Sequence, residues 1–522
     1  MVMFAMLLAA CSNNSPASSS EDSAGSGDPS TLVVDLVAEP VSMDPQQLTD
    51  INSMRVLQNM YDKLVDWDET GFNLVPKLAE SWEESDDGLV YTFKLRQDTK
   101  FHDGTSVNAE AVKFTFDRML DENHPFSHTG PFPNAEFYFG KIDKVDVIDE
   151  YTVQFTLKEK FAPFLNNLTT VTGSIVSPAA VEKHDKDFAL YGGGSGPFQL
   201  EEWSKGVHTK LTANKEHFEG APLVETVIFQ PIVEDLVRVT KLQNGEADII
   251  VDVNPDSIES LESDANYSVI KQDGPHVWYV GLNTDKTPFD DVKVRQAVNY
   301  AVDKESIVND ILKGTGTVST QPLPNVLLGH NPELEGYPYD PEKAKELLKE
   351  AGYADGFTVN FLIPESGSGM QSPVPMSTAI QGYLQAVGIT VNLTKMEWGT
   401  FLNEIGQGAG DKYDMYALSW MSGTGDPDLS LANLIHSNAF PPGFNSGYYK
   451  NEKVDELLNK ATLTSVQEER EQFYFEAEKL IVEDAPWIFI DHAKQTAAFS
   501  TNVKGFNLHP SHVFNLNKVS KE

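Results

Sequence analysis

LAESWEESDDGLVYTFKLRQDTKFHDGTSVNAEAVKFTF, residues 78–116, changes its hydrophobic period partway along. In LVYTFKLR, Leu89, Tyr91, Phe93 and Leu95 alternate with other residues, which puts all four on one face of a strand. FHDGT carries an Asp-Gly turn, and VNAEAVKFTFDRML (107–120) then takes up a helical period, with Asn108 placed to cap it. A second alternating run, YTVQFTLK, sets Tyr151, Val153, Phe155 and Leu157 on one side. The stretch therefore predicts a β-rich lobe that carries a helix.

Working outward, TLVVDLVAEP (31–40) reads as a buried strand, and INSMRVLQNMYDKLVDW (51–67) as a helix with Met54, Leu57, Met60 or Tyr61, and Leu64 on one face. Beyond residue 290 helices alternate with short strands. In YDPEKAKELLKEAGY, Asp340 is the expected N-cap, Pro341 the first helical residue and Gly352 the stop. VDELLNKATLTSVQEEREQFYFEAEKLIVEDAP predicts one or two helices, and WIFI a strand. A chain of 522 residues is too long for one ordinary core. The reading is a mixed α/β protein of two or three lobes.

The charge is −39, which repels nucleic acid and anionic surfaces and excludes DNA or RNA as partners. One cysteine, Cys11, permits no internal disulfide and no cysteine-rich metal cluster. It stands between an apolar run, MVMFAMLLAA (1–10), too short to span a bilayer, and a Ser- and Gly-rich stretch. Leu8-Ala9-Ala10-Cys11 resembles the bacterial lipobox, in which the cysteine sulfur receives a diacylglycerol after cleavage. The expectation is a signal segment at 1–10, truncated at its start because no basic residue precedes it, and a lipidated tether at 11–29. Acyl chains contribute about 0.8 kcal/mol per buried CH₂, so such a cysteine can anchor a protein with no spanning helix. At about 5–6 Å × √n, the tether reaches roughly 20–25 Å.

Several stretches resemble the extracellular solute-binding proteins of the peptide/nickel importer family, family 5. The 78–116 block is similar to the family's A-E-S-W and F-H-D-G-T signatures, and GSGPFQL (194–200) to its G-T-G-P-F loop, with Ser195 in place of Thr. LQNGEADI, FDDVKVRQAVNYAVDK, YDPEKAKELLKEAGY, SWMSGTGDPD and EDAPWIF follow in family order. The resemblance implies a bilobal hinged clamp of the periplasmic-binding-protein type II kind with an extra β-rich lobe, the three-domain arrangement of cluster C. It places lobe I at 30–75, 195–282 and 495–522, lobe II at 76–194 and lobe III at 283–494. It also implies a monomer outside the cytoplasm, lipid-anchored, that traps a peptide-like ligand and delivers it to permease subunits served by separate ATPases. No cofactor or metal is called for, and no chemistry on the ligand.

The ligand residues follow from the same resemblance. Trp420, in SWMSGTGDPD (419–428), can stack on a ligand, and Gly423 and Gly425 leave room for backbone N–H groups to approach one. Dipeptide-binding relatives carry an aspartate where this chain has Gly423. Asp426 either supplies that charge or shapes a turn, and Asp428 could cap the helix beginning LSLANLI. FLIPESGSGMQSPVPM (361–376) has no basic residue where such relatives place an arginine for the peptide carboxylate, so a short ligand gripped at both ends is disfavoured. Arg55 is a replacement cation or a surface helix residue. Met43 and Ser195 lie on loops that line the cleft in relatives, and Tyr448 is an aromatic contact or a core residue.

Other chemistries find little support. The chain has no G-x-S-x-G, H-E-x-x-H or P-loop, which leaves a secreted hydrolase as a thin alternative. His102-Asp103 is read as a turn. In His124/His128 and His509/His512 an intervening proline opposes a shared metal-binding face. A nickel or metallophore binder stays open because the family includes nickel members.

Overall fold

The computed structural model describes residues 28–367 and 369–522. The segments 1–10 and 11–27, with Cys11, lie outside the described residues.

Two sheets dominate. The larger runs, in spatial order, Ile389–Met396, Phe357–Pro364, Met415–Met421, Tyr267–Leu282, Trp487–Ser500, Ile249–Val251, Thr31–Leu36, Thr226–Pro231, His208–Ala213 and Phe198–Ser204, with Gly316–Val318 added beside Trp487–Ser500. Only the two long central strands pass through both halves of it. On one side, Leu32, Val34, Phe198, Val227 and Phe514 build the core of a first lobe. On the other, Val277, Trp278, Tyr279, Val280, Leu282, Phe361, Met415 and Phe489 build two further cores. The smaller sheet orders Ala79–Glu84, Val90–Leu95, Thr152–Leu157 and Ile142–Asp149. Tyr91, Phe93, Leu95, Val153, Phe155 and Leu157 bury together on one face, as the alternation predicts. The helix Ala109–Leu120 packs on this small-sheet lobe, and Asn108 accepts from the Ala111 N–H at 3.0 Å.

Capping logic holds elsewhere too. The helix Pro341–Glu350 starts at Asp340, whose carboxylate accepts from the Lys343 N–H, and Gly352 stands at φ 90° just past its end. The expected helix over 51–67 is corrected: it spans Ile51–Leu57, and Val65–Trp67 is a strand. Asn59 stops it, because its side-chain amide donates to the Arg55 and Phe514 carbonyls and accepts from the Leu516 N–H. Distant partners outweigh the helical periodicity here.

Candidate functional site

The site begins with a break in the two crossing strands. Tyr267–Asp273 pairs in register with Lys494–Ser500, the pairing lapses, and it resumes from Val277 opposite His492 to Gly281 opposite Trp487. Gly274 and Pro275 occupy the lapse. A side chain at Gly274 would stand 3.0 Å from the His512 Nε2, and Pro275 has no N–H to offer the ladder. Its carbonyl instead accepts from the Ser422 N–H at 2.8 Å. Both strands therefore cross between the two halves of the sheet where their pairing with each other lapses.

Side chains surround this break on both faces of the sheet, with Val277, Trp420 and His492 on one and His276, Trp278 and Asp491 on the other. His276 and His512 stand with ring centroids 5.9 Å apart and planes at 90°. Gly369 closes over His276, where a Cβ would lie 2.7 Å from Nε2. The His512 carbonyl accepts from Arg55 Nε at 3.0 Å, and Arg55 grips Asp252 with both terminal nitrogens at 2.6 and 2.9 Å. Asp252 and His512 both hold left-handed backbone, at φ 53° and 71°, a conformation that costs a non-glycine residue free energy. Gln495 donates to the His509 and Pro510 carbonyls, while its Oε1 has no partner. Trp278 Nε1, Trp420 Nε1, Asp491 Oδ1 and both ring nitrogens of His492 are likewise buried and unpartnered. Each is a desolvated polar group whose cost a ligand hydrogen bond would offset.

Burial also sets the charges. It holds His276 down at about 4 and His492 at about 3, so both imidazoles are neutral near pH 7. Burial pushes Asp491 up to about 8, which makes it a neutral acid there. Arg55 already faces Asp252, and Lys494 faces Asp273 at 3.4 Å. The break thus offers neutral donors and acceptors.

Of the residues singled out from sequence, Trp420 comes to the break. It pairs with Val277, which puts it on the sheet face opposite that of the His276 side chain, and it meets Phe444 edge-on at 5.0 Å. Arg55 is fully buried, so the surface-helix alternative does not describe it, and its charge is taken by Asp252. Gly423 donates its N–H to the Met421 carbonyl at 3.0 Å. Asp426 is buried with both oxygens bonded to Arg470 at 2.8 Å, and Oδ1 also accepts from the Asp428 N–H. That geometry is the turn-shaping one, and Asp428 is the first residue of the helix Asp428–Leu434, not its cap. Met43 is buried, its carbonyl accepting from Tyr61, and Ser195 donates to Asp62 at 2.8 Å. Tyr448 packs on Phe440, and its neighbour Gly447 accepts from Thr284 beyond the far end of the crossing strand, roughly 30 Å along it from the break at about 3.3 Å per residue. His102 and His124/His128 stand elsewhere, with His102 on the Gly196 carbonyl and His128 on Asp185.

Sequence reasoning missed His276, His492, Asp252 and Gln495, and set aside His512. A Gly-Pro pair inside an otherwise strand-like run, IKQDGPHVWYV, was the available signal, since neither residue suits a central strand.

Comparison with known proteins agrees with this architecture. Residues 73–442 match the family described as bacterial extracellular solute-binding proteins, family 5 Middle. The chain is 33% identical over 520 residues to heme-binding protein A of Haemophilus influenzae, covering 96% of this chain and 94% of the relative. It is 32% identical over 478 residues to glutathione-binding protein GsiB of Pectobacterium atrosepticum, covering 91% and 90%. Among solved structures it is similar to the ABC transporter-associated periplasmic binding protein DppA of Helicobacter pylori in complex with peptide STSA, with TM-score 0.79, 31% identity and coverage of 94% and 98%. Such proteins bind solutes outside the cytoplasm and are not enzymes. The chain, with its large sheet crossed by two strands between lobes, belongs to the family 5 extracellular solute-binding proteins of ABC importers.

Proposed function

We propose that this chain is the substrate-binding lipoprotein of an ABC importer, capturing a peptide of oligopeptide, dipeptide or glutathione type between two lobes and passing it to a membrane permease. The lobes are lobe I (30–75, 195–282, 495–522), lobe II (76–194) and lobe III (283–494), and Cys11 carries the lipid anchor. The observation that carries the reading is the strand break lined by buried, unpartnered neutral groups, among them Trp420 Nε1, His492 and Gln495 Oε1. A peptide presents alternating amide donors and carbonyl acceptors, which such groups satisfy without a charged clamp at each end. Closure excludes water from these bonds, and tighter binding to the closed form shifts the population toward it.

Native mass spectrometry of the protein purified without denaturation tests this. A bound mass in the peptide range, returned uncleaved, is the expected result, and no co-purifying ligand with no uptake from a mixture of short peptides and glutathione would contradict it. Replacing Trp420 by Ala should weaken capture by about tenfold or more, as truncating a central aromatic contact does, with the melting temperature unchanged.

A nickel or metallophore ligand is the second reading, favoured by the facing imidazoles of His276 and His512. Among the described residues no group of three or more His, Cys, Asp or Glu is arranged to hold an ion, so the metal would arrive already chelated. Equilibrium dialysis that retains a nickel–histidine chelate while peptides are ignored would move the assignment there.

A further inference from the structure

The turn after Trp420 is held by three lobes at once. Its Ser422 N–H bonds to Pro275 at the strand break. Gly425, at φ 67°, lies so close to Phe72 of lobe I that a Cβ would stand 2.2 Å from Cδ1. Its Thr424 carbonyl accepts from the Asn166 side-chain amide of lobe II at 3.3 Å. One further hydrogen bond joins lobes II and III among the described residues, from the Ala162 N–H to the Thr462 carbonyl at 2.9 Å. Both donors thus come from one short segment, 162–166.

Both acceptors are braced by one guanidinium. Arg470 holds Asp426, two residues after Thr424, through two bonds of 2.8 Å, and its Nε donates to the carbonyl of Ala461, next to Thr462, at 2.9 Å. Arg470 and Asp426 are buried, which makes this pair rigid and directional. Lobes I and II, by contrast, are joined by fully buried charge, Arg118 on Asp44, and by Gln46 and Lys63 bonding to lobe II carbonyls. Lobe II is thus bonded to lobe I through buried charge and to lobe III through the two hydrogen bonds of the 162–166 segment.

We propose that residues 162–166 and the Arg470-braced carbonyls of Thr424 and Thr462 form a closure latch, with Asn166 a positioning residue that stabilises the closed clamp without touching the ligand. This rests on the capture reading given above. It gives Asp426 its role: it orients the turn that follows Trp420 and presents Thr424 to the latch.

The test uses the full chain with Cys11→Ser, labelled at Ile148→Cys in lobe II and Leu402→Cys in lobe III, both exposed. Distance distributions are recorded alone and with a mixture of short peptides and glutathione. Asn166→Ala should lower the ratio of short to long distances roughly two- to tenfold, the range of a single net hydrogen bond. Asn166→Gln, which keeps the amide, should recover part of that ratio, and the melting temperature of both should match the parent. An unchanged ratio in Asn166→Ala, with a parent that shows two distances, overturns the latch. A parent that keeps one distance whatever is added overturns the capture reading instead.

Discussion

Lobe II makes two contacts of opposite character. Toward lobe I it presents Arg118, with no exposed surface, paired to an equally buried Asp44, and Gln46 reaches back to the Thr172 and Ser174 carbonyls at 3.0 and 2.8 Å. Val171, Val176, Val181 and Phe188 continue this by packing into the lobe I core. Toward lobe III it offers, among the described residues, two hydrogen bonds to main-chain carbonyls. A buried ion pair is costly to separate, because each charge left behind is stranded away from water, while a hydrogen bond at a solvent-reachable seam exchanges readily with water. On the proposed reading, lobes I and II form a fixed body and lobe III a mobile one, with the break at Gly274 and Pro275 between them.

The largest expected effect comes from attacking the fixed side. Arg118→Ala leaves the Asp44 carboxylate buried without its partner and should lower unfolding free energy by about 3–5 kcal/mol, read by urea denaturation. A loss under about 1 kcal/mol would mean that the interface tolerates opening and that the contrast is false.

A smaller effect is expected at the break itself. His276 is held at about 4, against an ordinary value of 6.5, because burial disfavours its charged form. Above pH 6.5 it is neutral in folded and unfolded chains alike. Between 6.5 and about 4 the unfolded chain takes up a proton that the folded one refuses, so stability falls as pH falls. His276→Gln should flatten that fall by about one proton, measured as the pH slope of unfolding free energy. A slope identical to the parent's would place the imidazole outside the buried seam.

Much of the fold was legible because its signals are local. The alternation through Leu89–Leu95 and Tyr151–Leu157 marks the small sheet, and Asn108 and Asp340 act as caps through contacts within three residues. The candidate site was less so, because it is assembled from four distant stretches: Arg55, Asp252, His276 and His512 meet only through the tertiary fold. The shortened helix at Ile51–Leu57 fails for the same reason, since Asn59 is bonded to residues near the C-terminus. Pro510 did separate its flanking histidines as its geometry requires, yet one of them still matters: His509 stacks on Trp67 at 5.3 Å, and His512 turns to His276. Asp426 had two readings open to sequence, and only its partner, Arg470, forty-four positions away, distinguishes them.

The division into fixed and mobile bodies is tested most directly by two distances in one protein. With Cys11→Ser, the chain has no other cysteine, so label pairs can be placed at Ile148→Cys with Leu223→Cys, and at Ile148→Cys with Leu402→Cys. On adding the ligand found by native mass spectrometry, the first distance, between lobes II and I, should stay constant while the second, between lobes II and III, shortens. A change in the first distance, or none in the second, would contradict the account.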